Sequence, residues 1–123
     1  MRLKCRFWDS KKSRFIYVDL KNKADWRKWK IEFCFMNYEV EWFTEFHDRK
    51  TKEIYEGDVV EFHFGKGIIV WEQNQGSFYI QKSDEKKEGK SINYGLGNLI
   101  IKQMLVIGNI RENPDLLTIK EEI

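Results

Sequence analysis

A chain of 123 residues with 22 Lys and Arg against 20 Asp and Glu carries a net charge of only +2, which excludes the strong cationic excess of a dedicated duplex-DNA binder. Its 41% hydrophobic and 34% charged residues, with a single proline, exclude disorder over most of the length, and the length suits one domain. Aromatic residues reach 15%, so the core is expected to be built largely from rings.

From the N-terminus, Leu3, Cys5 and Phe7 alternate with Arg2, Lys4 and Arg6, the period of two that marks a half-buried strand. Residues 9 to 13, DSKKS, are turn material, and residues 15 to 18 return as the second strand of a hairpin. Asn22 or Asp25 can cap a short helix in which Trp26, Trp29 and Phe33 recur at spacings of three and four. A strand competes there, because Ile31, Phe33 and Phe35 also alternate. Tyr38, Val40 and Trp42 alternate with Glu39 and Glu41 and predict another strand, after which FHDRKTK, residues 46 to 52, reads as a polar connection.

KEIYEGDVVEF, residues 52 to 62, is a turn delivering the backbone into a strand. Val60, Phe62 and Phe64 fall on one face, with Val59, Glu61 and His63 on the other, and Gly65-Lys66-Gly67 offers the positive-φ positions of a tight hairpin. Residues 68 to 72 pair back, QNQG turns the chain, and residues 77 to 81 complete a meander. Lys82 to Lys90 reads as a solvated loop, and residues 91 to 98 fit no single pattern. Residues 105 to 107 predict a last buried strand, and Asn113-Pro114-Asp115 the start of a helical turn. The fold class is therefore mainly β: a small SH3-like barrel or twisted-sheet pseudo-barrel around residues 54 to 81, carrying the N-terminal hairpin, the final strand and short helical segments.

Glu56 and Asp58 have two readings. Asp58 can accept N–H bonds within its own turn, or the two carboxylates can act as acid and base; the turn explains all three residues from 56 to 58 and is preferred. Cys5, Cys34, His47 and His63 show no zinc spacing, so no metal and no cofactor are expected. The two cysteines read as separate reduced thiols, Cys5 on the apolar face of its strand. No secretory pattern and no apolar run of membrane-spanning length occurs, so a cytoplasmic protein without membrane contact is expected.

WRKWK, residues 26 to 30, interleaves two tryptophans with three cations. Trp26 and Trp29 read first as the buried stripe of a helix whose Arg27, Lys28 and Lys30 face water. The alternative is a surface on which unpaired bases stack while the cations neutralise phosphate.

Three blocks carry a resemblance: KCRFWD at residues 4 to 9, KEIYEGDVVEF at 52 to 62, and VIGNIRENPDLL at 106 to 117. Together, and in this order, they resemble the YopX family of small phage and prophage proteins of bacteria. The chain departs from the family where members carry Thr-Gly-Leu ahead of an Asp-Lys-x-x-Gly turn. Here Thr44-Glu45-Phe46 and Asp48-Arg49-Lys50-Thr51-Lys52 stand without the glycines. The resemblance implies one mainly β domain over residues 1 to 123, assembled into an oligomer and acting in the bacterial cytoplasm; it implies no catalytic residues. The expected function is that of a non-enzymatic phage accessory protein that associates with itself or with a phage or host protein. The alternative is nucleic-acid binding through Trp26, Arg27, Lys28, Trp29 and Lys30.

Overall fold

A computed structural model describes residues 4 to 83 and 89 to 117, apart from the side chains of Trp29, Asn98 and Leu99. β1 (Lys4–Asp9) and β2 (Arg14–Asp19) form the N-terminal hairpin, with Lys4 opposite Asp19 and Asp9 opposite Arg14. Asp9 closes its turn by accepting the N–H groups of Lys11 and Lys12. The hairpin is joined to the rest of the fold through β1. β1 pairs on its other side with β3 (Glu39–His47), which pairs with β4 (Glu53–Tyr55), giving an antiparallel sheet of order β2-β1-β3-β4.

Residues 23 to 37 resolve the competition between helix and strand in favour of helix. α1 (Lys23–Trp29) is capped by Asn22, whose side chain accepts the Ala24 N–H, and α2 (Ile31–Asn37) follows after a left-handed residue at Lys30 with φ 49°. That break stops the stripe of one helix from continuing into the next. Ile31 and Cys34 are the residues that α2 buries, against Cys5, Phe7, Ile16 and Val18. Trp26 and Phe33, expected in the core, are instead 44% and 53% exposed, and the Trp26 indole N–H donates to the Leu20 carbonyl at 2.8 Å. Trp29, the third member of the stripe, has its side chain outside the described residues.

The second sheet contains β5 (Asp58–Phe62), β6 (Gly65–Glu72), β7 (Ser77–Ser83), β8 (Ser91–Gly95) and β9 (Leu105–Asn109), in the order β8-β7-β6-β5-β9. It curls as a half-barrel over a second core of Ile54, Val60, Phe62, Ile69, Ile80 and Met104. The mainly β class is thus the one expected, but the stretch from 54 to 81 is divided: Ile54 and Tyr55 pair in the first sheet, and everything from Asp58 onward in the second. The ambiguous residues 91 to 98 are β8 and the start of α3 (Asn98–Gln103). Lys82 and Ser83 extend β7, while residues 84 to 88 of the expected loop lie outside the described residues. Pro114–Leu117 is a single 3-10 turn.

Two local expectations change. The β5–β6 turn is His63-Phe64, because Phe62 pairs with Gly65, and Gly67 lies inside β6 opposite Val60. A β-carbon on Gly67 would stand 2.5 Å from Ile80 Cγ2, so this glycine serves the close approach of β7. Val59, expected on a polar face, is fully buried. Glu45, which stands where the family carries the glycine of Thr-Gly-Leu, takes a positive φ of 73°, and Thr51, one residue before the place of the turn glycine, takes one of 68°. The backbone keeps a glycine-like course without glycine. Among the described residues no helix is long and apolar enough to cross a membrane.

Candidate functional site

Alternation along β1 places Arg6 away from the helices, where water was expected. Its side chain is only 3% exposed. The cover comes from Glu56-Gly57-Asp58, which passes between the sheets on its way from β4 to β5. Arg6 Nε donates to Glu41 Oε1 at 2.8 Å, and Nη2 donates to Asp58 Oδ1 at 2.8 Å and to the Glu56 carbonyl at 3.0 Å. Glu41 is the cross-strand partner of Arg6 in the β1–β3 ladder, so the pairing of strands itself sets this contact. The guanidinium carbon sits 4.1 Å from the Phe15 ring centroid and 4.9 Å from that of Tyr55.

The turn ties the two sheets through its backbone as well. Glu56 N–H donates to the Trp42 carbonyl of β3, Gly57 N–H to the Ile69 carbonyl of β6, and Ile110 N–H to the Gly57 carbonyl. The Glu56 carboxylate accepts the Trp42 N–H, and Asp58 Oδ2 accepts the Tyr55 N–H at 2.8 Å. This is the backbone role expected of Asp58. Gly57 is required twice over, by a φ of 82° and by a β-carbon position only 2.4 Å from Glu41 Oε2. Arg111, just past β9, completes the cluster by pairing with Glu39 and with Glu41 Oε2.

Burial pushes the Glu41 and Asp58 carboxyls above their ordinary values, and Arg6 opposes that without cancelling it. Burial alone would lower Arg6, but Asp58 and Glu41 outweigh it and hold the guanidinium charged. As a paired acid and base, Glu56 and Asp58 are poorly free to act: Asp58 has one oxygen on Arg6 and the other on a backbone N–H. The arrangement joins sheets. A cleft of about 480 Å³ lies beside it, lined among others by Arg6, Tyr17, Tyr55, Asp58 and Asn109.

A second tie, which no alternation in the sequence marks, joins the sheets at Asp48. Asp48, within the supposed polar connection, is buried and accepts the N–H groups of Lys50 and Lys52 through Oδ1 and of Val106, in the other sheet, through Oδ2 at 3.0 Å. Burial would raise its carboxyl, but these N–H bonds outweigh it and the value falls below the ordinary one. An Asp at a strand end before a polar turn is the signal that could have found it.

WRKWK lies on other elements from the Arg6 cluster. Trp26, Arg27 and Lys28 belong to α1, Lys30 forms the break before α2, and all four are exposed, whereas nothing is described for the Trp29 side chain. Among the described residues no three His, Cys, Asp or Glu side chains gather as metal ligands. Cys5 and Cys34 are both buried, and burial, with Cys34 beside it, pushes the Cys5 thiol up to about 12.

The chain matches no curated protein. The family described as YopX protein matches residues 4–118, which takes in both sheets, the helices between them, and all three sequence blocks that meet around Arg6 and Gly57. This chain therefore belongs to the YopX family.

Proposed function

We propose that this protein is a non-enzymatic accessory protein of a phage or prophage, working in the bacterial cytoplasm as a self-associating interaction module. The observation that carries the reading is apolar surface left uncovered. Trp26, Phe33, Phe35 and Met36 are exposed on α1 and α2, Met36 to 84%, and Phe64 and Ile92 are exposed on the second sheet. Groups of large apolar side chains at the surface of a small domain favour association, because a partner removes them from water. The mutual satisfaction of Arg6, Glu41 and Asp58 supports the non-enzymatic part, and the resemblance to phage proteins supports the setting. A second copy is the first partner expected and a phage or host protein the next. Light scattering at roughly tens of micromolar is the test. A mass that is a multiple of 15.0 kDa is expected, and a monomer throughout overturns the reading.

One observation favours a second reading, nucleic-acid binding. Trp26 is exposed rather than core, with Arg27, Lys28 and Lys30 around it and Asp25 the only nearby acid within α1. Stacking on Trp26 and neutralisation of phosphate by the cations would hold single strands. Titration with a single-stranded oligonucleotide decides it: quenched tryptophan fluorescence and an affinity falling steeply with salt promote this reading, and no binding removes it.

A further inference from the structure

The strand edges of this fold are unequally protected. β9, at one side of the five-stranded sheet, is guarded: Val106 N–H donates to Asp48 at 3.0 Å and Asn109 N–H to Asn113 Oδ1 at 3.3 Å. In the other sheet β4 has three residues and its Tyr55 N–H is held by Asp58. β2 carries Arg14 and Asp19 at its ends, and the Asp19 N–H is held by Asp25. β8, Ser91-Ile92-Asn93-Tyr94-Gly95, has no charge and no proline, and among the described residues no side chain caps its outer edge. An edge of that kind is a template for another strand.

Its sequence is complementary to itself about Asn93. In an antiparallel pair of copies centred there, Ser91 of one faces Gly95 of the other, and Ile92 faces Tyr94. Ile92 and Tyr94 lie on one face of the strand, where Tyr94 stacks on Phe64 at 5.0 Å and meets Phe62 edge-on at 5.2 Å. Phe64 is 53% exposed and Ile92 39%. The pairing puts Ile92 of each copy against the Tyr94 and Phe64 stack of the other, an aliphatic-on-aromatic contact that sheets favour. At the axis stands a neutral residue, so no like charges meet.

We propose that β8 is the self-association surface of this protein, a second copy adding its own β8 antiparallel about a two-fold axis at Asn93 and joining the two five-stranded sheets into one. The proposal rests on the self-association reading and names its interface. Cysteine cross-linking in the full chain tests it. Directly opposed residues of antiparallel strands have Cα atoms about 4.5–5.5 Å apart, within the roughly 4.4–6.8 Å that a disulfide spans. Mild oxidation should therefore link Asn93→Cys into a covalent dimer. Ser91→Cys should stay unlinked, since the two sulfurs would be offset by about 13 Å along the strands, and the native Cys5 and Cys34 are buried. Ile92→Lys should weaken association at least about tenfold, with an unchanged circular dichroism spectrum. Association that ignores Ile92→Lys, with no link through Asn93→Cys, overturns β8 as the interface while keeping self-association; a wild-type monomer overturns both.

Discussion

Arg6 and Asp58, 52 residues apart in sequence, meet at 2.8 Å with both side chains only 3% exposed, one from each sheet. Without Arg6 the fold would hold two buried carboxylates near one another, Glu41 and Asp58, with Arg111 reaching only one of them. The contact is therefore a structural joint whose loss strands charge.

The turn that makes this joint should tolerate no side chain at Gly57. Gly57→Ala forces a residue with φ 82° to carry a β-carbon 2.4 Å from Glu41 Oε2. A loss of about 2–4 kcal/mol in urea unfolding is expected, combining backbone strain with displacement of a buried partner.

Thr51 should respond in the opposite direction. A β-branched residue with φ 68° is strained, and it stands in the turn where family glycines are missing. Thr51→Gly should raise stability by about 0.5–1 kcal/mol, relief of strain exceeding the added freedom of the unfolded chain. A loss on this substitution would refute the left-handed geometry at that position.

Asp48 gives a pH signature. Its folded value lies below the ordinary 3.8, so its contribution is complete above that value and lost as pH falls through the lower folded one. Glu41 and Asp58, raised on folding, act in the other sense: the folded state binds their protons more readily, and their effect disfavours folding as pH rises through the gap. The difference between wild type and Asp48→Asn isolates the first effect. Its stability gap should be constant near neutrality and should shrink below roughly pH 4. A gap unchanged down to roughly pH 2 would count against the three N–H bonds to Asp48.

The thiols should be silent in the native state. With the Cys5 thiol pushed up to about 12, its thiolate fraction at pH 8 is about one in ten thousand, and burial blocks access besides. A thiol reagent should label neither Cys5 nor Cys34 until denaturant is added. Rapid native labelling of Cys5 would contradict its place under α2.

Much of the fold was legible in the sequence, because most strands keep one dry face. The N-terminal hairpin, β3, β5 to β7, β9 and the turn at Pro114 all follow from alternation and turn residues. Arg6 and Glu41 read as polar alternates for the same reason, yet β1 and β3 are covered on both sides where the turn at Gly57 crosses them. Local patterns carry no trace of a cover supplied fifty residues away. The stripe of Trp26 and Phe33 fails for a different reason: its spacing runs through Lys30, whose left-handed backbone breaks the helical phase. β8 and α3 stayed unread because Gly95 and Gly97 interrupt both periods.

The central claim is that Glu56-Gly57-Asp58 serves the fold by locking the sheets through Arg6. A double-mutant cycle in urea unfolding tests it most directly. Arg6→Met and Asp58→Asn should each cost about 3–5 kcal/mol. The double variant should cost less than the sum by about 2–3 kcal/mol, because the second change removes a partner already lost. Single variants within about 0.5 kcal/mol of wild type, with additive effects, would contradict the claim and free Arg6 and Asp58 for a role in the adjoining cleft.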